Sequence, residues 1–140
     1  MADKGACFCG AIEFEVTGEA QVMGYCHCDD CTKWAGAPVS AFSLWASDSL
    51  GITKGADNIG TFAKTDASHR KFCKTCGGHL FTEHPSLSMY DVYLNTVPSV
   101  DHNPSLHVYY GEKTVTMKDG LPKFKDMPGE FGGSGDTLDE

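Results

Sequence analysis

Seven cysteines in three tight groups constrain this chain more than any other feature. They form a C-x-C pair (Cys7, Cys9), a C-x-C-x-x-C triplet (Cys26, Cys28, Cys31) and a C-x-x-C pair followed by glycine (Cys73, Cys76). The count is odd, and residues 1–22 are too charged and too poor in apolar runs for a secretory signal, so a disulfide framework is disfavoured. We therefore expect thiolates that hold metal ions.

The seven thiols divide most simply into four and three. A closed structural zinc site takes four N or S ligands, whereas a catalytic site takes three and keeps one position open. One short segment can place Cys26, Cys28 and Cys31 around a single ion. The other four, Cys7, Cys9, Cys73 and Cys76, then form the closed site, and Gly77 suits a positive φ where the C-x-x-C turn ends. The prediction is two zinc ions, one structural and one open to substrate.

Two other interpretations of the cysteines compete with this one. An eighth ligand from His27, Asp29, His69 or His79 would close both sites and give a non-catalytic, zinc-stabilised binding module. Alternatively, Cys26 would be a nucleophile paired with His27, but adjacent residues on an extended segment point to opposite sides.

Length and charge limit the fold and the partners. A chain of 140 residues can bury one ordinary core, so one main domain is expected. Eleven Lys plus Arg against nineteen Asp plus Glu give a net charge of −8, which disfavours nucleic acid and anionic membranes as partners. No segment approaches the apolar length of a membrane span, and we expect a cytoplasmic protein.

Short apolar runs separated by turn residues predict a mainly β fold with six or seven strands and one short helical segment. Apolar and polar residues alternate over 12–17, which is typical of a half-buried strand. The other predicted strands cover residues 39–46, 59–63, 70–73, 79–83, 90–96 and 107–110. Only residues 29–35 look helical, with Asp29 or Asp30 as the expected N-cap.

A change in composition divides the chain near residue 118. Residues 1–118 carry all the cysteines and form the predicted zinc-binding domain, and residues 119–140 form an acidic tail rich in Gly and Pro. Large apolar side chains over 121–131 predict that this part of the tail docks on the domain. The acidic groups of the tail are interpreted as solvated and without function, and its last residues as mobile.

Three sequence motifs resemble a known family. They are G-A-C-F-C-G-A-I at residues 5–12, Y-C-H-C-D-D-C-T-K at 25–33 and F-C-K-T-C-G-G-H-L-F at 72–81. In order, type and separation they are similar to the glutathione-dependent formaldehyde-activating enzyme family, which also includes centromere protein V. The resemblance extends over residues 5–110.

The resemblance implies a β-tent of short antiparallel sheets with a Cys₄ structural zinc and a Cys₃ catalytic zinc. Carried over by position, the structural ligands are Cys7, Cys9, Cys73 and Cys76, and the catalytic ligands are Cys26, Cys28 and Cys31. It also implies a carbon–sulfur lyase activity on small thiol–aldehyde adducts such as S-hydroxymethylglutathione, with glutathione as a possible cosubstrate. The chain departs from what glutathione binding favours, because it has only one arginine, Arg70, that could bind a glutathione carboxylate in bidentate fashion.

His27 is the nearest candidate for a catalytic proton shuttle, because it lies inside the triplet. Its ring could equally face solvent or bond the backbone. His79 is a weaker candidate that is more typical of a polar residue at a strand end. The tryptophans Trp34 and Trp45 are interpreted as core residues rather than pocket walls.

Overall fold

A computed structural model describes residues 2–140 and confirms the mainly β class. Within these residues the helices and strands are β1 (Ala2–Ala6), β2 (Glu13–Thr17), β3 (Val22–Cys26), α1 (Asp29–Ala35), β4 (Ser40–Ala46), β5 (Leu50–Lys54), β6 (Ile59–Thr65), β7 (Ser68–Cys73), β8 (His79–His84), β9 (Met89–Val92) and β10 (His107–Val108). Short 3-10 turns follow several of the strands. Among the described residues no helix is long and apolar enough to cross a membrane.

The chain forms two compact units. The first contains residues up to Val22 together with Ser43–His102, and the second contains Met23–Phe42 and Asn103–Glu140. In the first unit, β1, β2 and β5 make a three-stranded antiparallel sheet, and β9, β8, β7 and β6 pair in that order with β4 beside β9.

The core of the first unit is built on the inward face of β2. As the alternation predicts, Phe14 and Val16 are buried while Glu13 and Thr17 face solvent. The Phe14 ring meets Phe81 edge-on, with centroids 5.3 Å apart. Other members of this cluster are Cys7, Ile12, Trp45, Cys73, Leu80, Val92 and Val97. Two of the predicted ligands therefore lie in the main core.

The second unit is organised around a parallel strand pair. In this pair β3 lies beside β10, with Tyr25 opposite His107 and Cys26 opposite Val108. The backbones approach so closely that a Cβ on Gly24 would lie 2.5 Å from the carbonyl oxygen of Leu106. Tail residues continue the pairing, since the Phe124 N–H donates to the His107 carbonyl at 2.9 Å.

Several local expectations need correction. Helix α1 has the predicted bounds, but its N-cap is Cys28, whose Sγ accepts the Cys31 N–H, and not Asp29 or Asp30. The strand expected over 90–96 ends at Val92, since Leu94–Thr96 coil into a 3-10 turn. The strand expected over 107–110 ends at Val108, because Tyr109 has a left-handed backbone with φ +54°. Strands β1, β3 and β5 were not predicted.

Candidate metal centres and a buried histidine pair

Four cysteine sulfurs converge in the first unit. Cys7 follows β1, Cys9 lies in the next turn, Cys73 ends β7, and Cys76 lies in the turn before β8. Their Sγ atoms all lie within 4.8 Å of one another, with 3.7 Å between Cys7 and Cys9 and 3.8 Å between Cys9 and Cys73. Tetrahedral zinc with Zn–S bonds of about 2.3 Å needs sulfurs about 3.8 Å apart, so this group fits the ion.

The turn that carries Cys73 and Cys76 is shaped to favour thiolates. Gly77 has φ +75°, as expected, and its N–H donates to the Cys73 carbonyl at 2.8 Å. The Gly78 N–H points at Cys76 Sγ from 3.4 Å, and the Cys76 N–H points at Cys73 Sγ from 3.5 Å. These backbone donors lower the pKa of Cys73 and of Cys76. Deprotonated sulfur is the form that binds metal.

Three further sulfurs converge in the second unit. Cys26 ends β3, Cys28 caps α1, and Cys31 lies in its first turn, so the strand, the link and the helix each contribute one sulfur. The three Sγ atoms lie within 4.8 Å of one another, and the Cys31 N–H donates to Cys28 Sγ at 3.2 Å. Hydrogen bonds to the sulfurs of Cys28 and Cys31, followed by burial, raise the pKa of Cys26, and a bound cation would oppose this rise by stabilising the thiolate.

No fourth ligand atom joins this group among residues 2–140. The cluster contains only the three sulfurs, with no histidine nitrogen or carboxylate oxygen inside the same 4.8 Å limit. Both His69 and His79 lie on strands of the first unit. Asp29 uses its backbone N–H to bond Glu112 at 3.0 Å.

His27 is buried rather than solvent-facing. Its side chain is 0% exposed, and its Nε2 lies 2.9 Å from Nδ1 of His107. The two rings stack at 5.1 Å, and Tyr110 meets His27 edge-on at 5.0 Å. Its other nitrogen, Nδ1, is buried without a hydrogen-bond partner. Burial, followed by the proximity of His107, lowers the pKa of His27 to about 4, so the ring is neutral near pH 7.

His107 also contacts a cluster of charged side chains from the C-terminal tail. His107 Nε2 lies 2.7 Å from Oδ2 of Asp119, whose Oδ1 lies 2.5 Å from Nζ of Lys123. The lysine is 1% exposed and also donates to the Leu121 carbonyl at 2.8 Å and to Glu140 at 3.1 Å. Burial alone would raise the pKa of Asp119, but the bonds from Lys123 and His107 hold it well below its usual range.

Sequence comparison then places the chain in a family. The sequence model of the glutathione-dependent formaldehyde-activating enzyme family matches residues 2–112. The chain belongs to this family. The match contains all seven cysteines, His27 and His107, and it ends before Asp119, Lys123 and Glu140.

Two relatives illustrate the sequence similarity. A protein of Pyrenophora teres f. teres is 32% identical over 85 residues, which cover 56% of this chain and 45% of the relative. A protein of Halomonas elongata is 28% identical over 91 residues, which cover 61% of this chain and 58% of the relative. Both are named for glutathione-dependent formaldehyde activation. The chain thus spans about half the length of the curated relatives it matches.

A solved structure supports the same fold. A Rhodobacter sphaeroides protein aligns with 70% of this chain and 90% of its own, with a TM-score of 0.59 and 24% identity. At this identity the likeness concerns the fold alone.

Three residues that connect to His27 were not identified from the sequence. His107, Asp119 and Lys123 lie 80 residues or more beyond His27, in segments without a motif. Tyr109 has a left-handed backbone, which is rare for an aromatic residue, and burial raises its phenol pKa, with further contributions from Cys28 and Cys26. The sequence signal for these residues was weak, since it consisted of an isolated histidine and a lysine in an acidic tail.

Proposed function

We propose that this chain is a zinc enzyme that catalyses the reversible addition of a thiol to a small aldehyde. S-hydroxymethylglutathione is an example of the adduct that forms. In the forward direction the thiol sulfur forms a bond to the aldehyde carbon, and the carbonyl oxygen takes the proton that the thiol gives up. The reverse direction is carbon–sulfur lyase chemistry. The observation that carries the proposal is the Cys26, Cys28 and Cys31 group, which offers three sulfurs and no fourth ligand within 4.8 Å among the described residues.

The two cysteine groups are assigned different tasks. Cys7, Cys9, Cys73 and Cys76 would hold a structural zinc, and the triplet would hold a catalytic one. When bound to three thiolates, zinc supplies Lewis acidity and a position for an incoming thiolate or carbonyl oxygen. His27 is proposed as the group that accepts the thiol proton, and this assignment rests on its neutral, buried ring beside the ligands.

The thiol cosubstrate would lie along the outer face of α1. A groove of about 620 Å³ runs there, lined by Asp29, Thr32, Lys33, Gly36, Ala37, Pro38 and Thr114. Lys33 provides a cation for a carboxylate of glutathione, and the groove has room for a tripeptide. The rest of the lining, which is one carboxylate, two threonines and small residues, favours a small polar ligand. Seven free thiols fit a reducing compartment such as the cytoplasm.

Exchange spectroscopy tests the activity. Formaldehyde and glutathione react spontaneously, so NMR exchange rates between free and adduct carbon should rise when the zinc-loaded protein is added. Cys28→Ser should abolish the increase, since the serine keeps the helix cap but removes one ligand. Cys9→Ser, which removes a ligand from the other group, should retain it. Equal rates with and without the wild-type protein would reject this substrate and leave only the metal sites.

X-ray absorption spectroscopy distinguishes the enzyme proposal from the alternative of a non-catalytic module in which both metal sites are closed. In Cys9→Ser protein that holds one zinc, the enzyme proposal expects three sulfur neighbours and one exchangeable lighter atom. A non-exchangeable protein nitrogen in the fourth position, which added thiol does not displace, would favour the module.

A further inference from the structure

The groove beside α1 carries two charged side chains of opposite sign that do not pair with each other. Asp29 and Lys33 both line the groove and are both exposed. They are four residues apart on one helix, in the order in which an acid and a base commonly form an ion pair. Among residues 2–140, however, neither side chain forms an ion pair, and Asp29 makes hydrogen bonds only through its backbone. Both charges are therefore available to a ligand.

Backbone contacts at both ends of α1 shape this groove. At the start of the helix, Glu112 accepts the Asp29 N–H at 3.0 Å, which ties the segment before Thr114 to the helix. Thr114 lines the groove from outside the helix. At the other end, the N–H groups of Gly36 and Ala37 both return to one helix carbonyl, and Gly36 has φ +65°. The turn after the helix consists of small residues, which leaves the groove its volume of about 620 Å³.

The charges in the lining indicate which class of ligand fits. The lining contains one anion, Asp29, and one cation, Lys33. A ligand with a carboxylate alone would be attracted by Lys33 and repelled by Asp29. An ammonium and a carboxylate on the same carbon atom would satisfy both side chains. This arrangement is the α-amino acid zwitterion, and the γ-glutamyl end of glutathione carries one, whereas its glycine end carries a carboxylate only.

We propose that Asp29 and Lys33 bind the zwitterionic α-amino acid group of the thiol cosubstrate, with Asp29 facing its ammonium and Lys33 facing its carboxylate. Asp29 and Thr32 directly follow the predicted ligands Cys28 and Cys31, so the groove begins beside the triplet. In glutathione, the glutamyl side chain and a peptide bond separate the zwitterion from the cysteine residue, so the sulfur can extend toward the triplet. That the ligand is the cosubstrate rests on the proposed function, whereas binding of a zwitterion does not.

Calorimetric titration with thioethers measures this binding without turnover. S-methylglutathione cannot form the aldehyde adduct, because its sulfur carries a methyl group. The zinc-loaded wild-type protein should bind it about fivefold more tightly than N-acetyl-S-methylglutathione, which lacks the ammonium. S-methyl-γ-glutamylcysteine, which lacks the glycine, should bind as tightly as S-methylglutathione. Equal binding of the acetylated and unacetylated compounds, or no measurable binding of either, overturns the proposal.

Two substitutions assign the charges. Lys33→Gln should weaken binding of both S-methylglutathione and its N-acetyl form by about fivefold. Asp29→Asn should remove the preference for the unacetylated compound, because the partner of the ammonium is lost. The matched controls are Lys118→Gln and Asp139→Asn, which each remove one exposed charge of the second unit outside the groove. A preference retained in Asp29→Asn, or a control that weakens binding as much as its matched variant, refutes the assignment.

Kinetics separate this site from the proposed function. If the protein accelerates adduct exchange, Lys33→Gln should raise the KM for glutathione about fivefold and leave kcat nearly unchanged, because the zwitterion is bound alike before and during the reaction. A lower kcat with an unchanged KM would refute the binding role. If the wild-type protein shows the expected preferences among the thioethers without accelerating exchange, the proposed function fails and the zwitterion site stands. Acceleration together with equal binding of the acetylated and unacetylated thioethers overturns the site and leaves the activity.

Discussion

The two cysteine groups should differ in what they contribute to stability, and a pair of serine variants exposes the difference. Cys9 and Cys73 are 64 residues apart in sequence, so an ion on the four-cysteine group closes a long loop. The triplet closes only the short segment 26–31. In the chain-entropy description a cross-link over the long loop is worth about 4 kcal/mol, and one over the short segment about 2 kcal/mol.

These values translate into melting temperatures. For a chain of this size, 1 kcal/mol corresponds to about 3 °C. We therefore expect Cys9→Ser to lower the Tm by about 12 °C and Cys28→Ser by about 6 °C. Neither change disturbs packing much, because Cys9 is exposed and a serine at position 28 can still cap α1.

Calorimetry and elemental analysis on the same samples check this prediction. Each variant should keep one zinc per chain where the wild type holds two, and a strong chelator should bring all three proteins to a common, lower Tm. Equal Tm values for the two variants, or a larger loss in Cys28→Ser, would refute the assignment of the four-cysteine group as the long-range link. Two zinc ions retained in either variant would refute the ligand set.

Three further changes test parts of the second unit. Gly24→Ala should destabilise the protein by about 2 kcal/mol in urea titrations, because its methyl group would lie 2.5 Å from the Leu106 carbonyl oxygen. The stability advantage of wild type over Asp119→Asn should be full above about pH 4 and shrink as the pH falls further, because the native pKa of Asp119 lies below its unfolded value. Tyr109→Gly should be more stable than Tyr109→Ala by about 1 kcal/mol, since only glycine adopts the left-handed backbone without strain.

Local sequence patterns predicted correctly those parts of the structure that depend mainly on neighbouring residues. Helix α1 has the predicted bounds, although not the predicted N-cap, because helix and turn signals act within a few residues. The alternation in β2 predicted its buried face because one side of that strand meets the core. The C-x-x-C turn likewise needs only its own glycine, Gly77, to curl around a ligand position.

Sequence patterns did not predict the segments whose conformation depends on contacts with distant residues. β3 contains Gly24, a poor strand former by itself, and forms because the backbone at Leu106 approaches it. β5 begins Leu50–Gly51, which looks like a turn until β2 pairs with it. The expected strand over 107–110 fails at Tyr109 for the same reason, since tail contacts select its left-handed turn.

The histidine pair shows why a functional constellation can be only half visible in a sequence. His27 stands inside a cysteine motif and is easily found in the sequence, but the contacts that bury its ring come from residues outside that motif. His27 Nε2 lies 2.9 Å from His107 Nδ1, His107 Nε2 lies 2.7 Å from Asp119, and Asp119 is bonded to Lys123. The first of these contacts joins residues that are 80 apart in sequence, the others join residues 12 and four apart, and none forms a recognisable motif. A lysine buried among acidic residues of a glycine-rich tail is the one anomaly that points to the chain of bonds, and burial is a property that only the structure supplies.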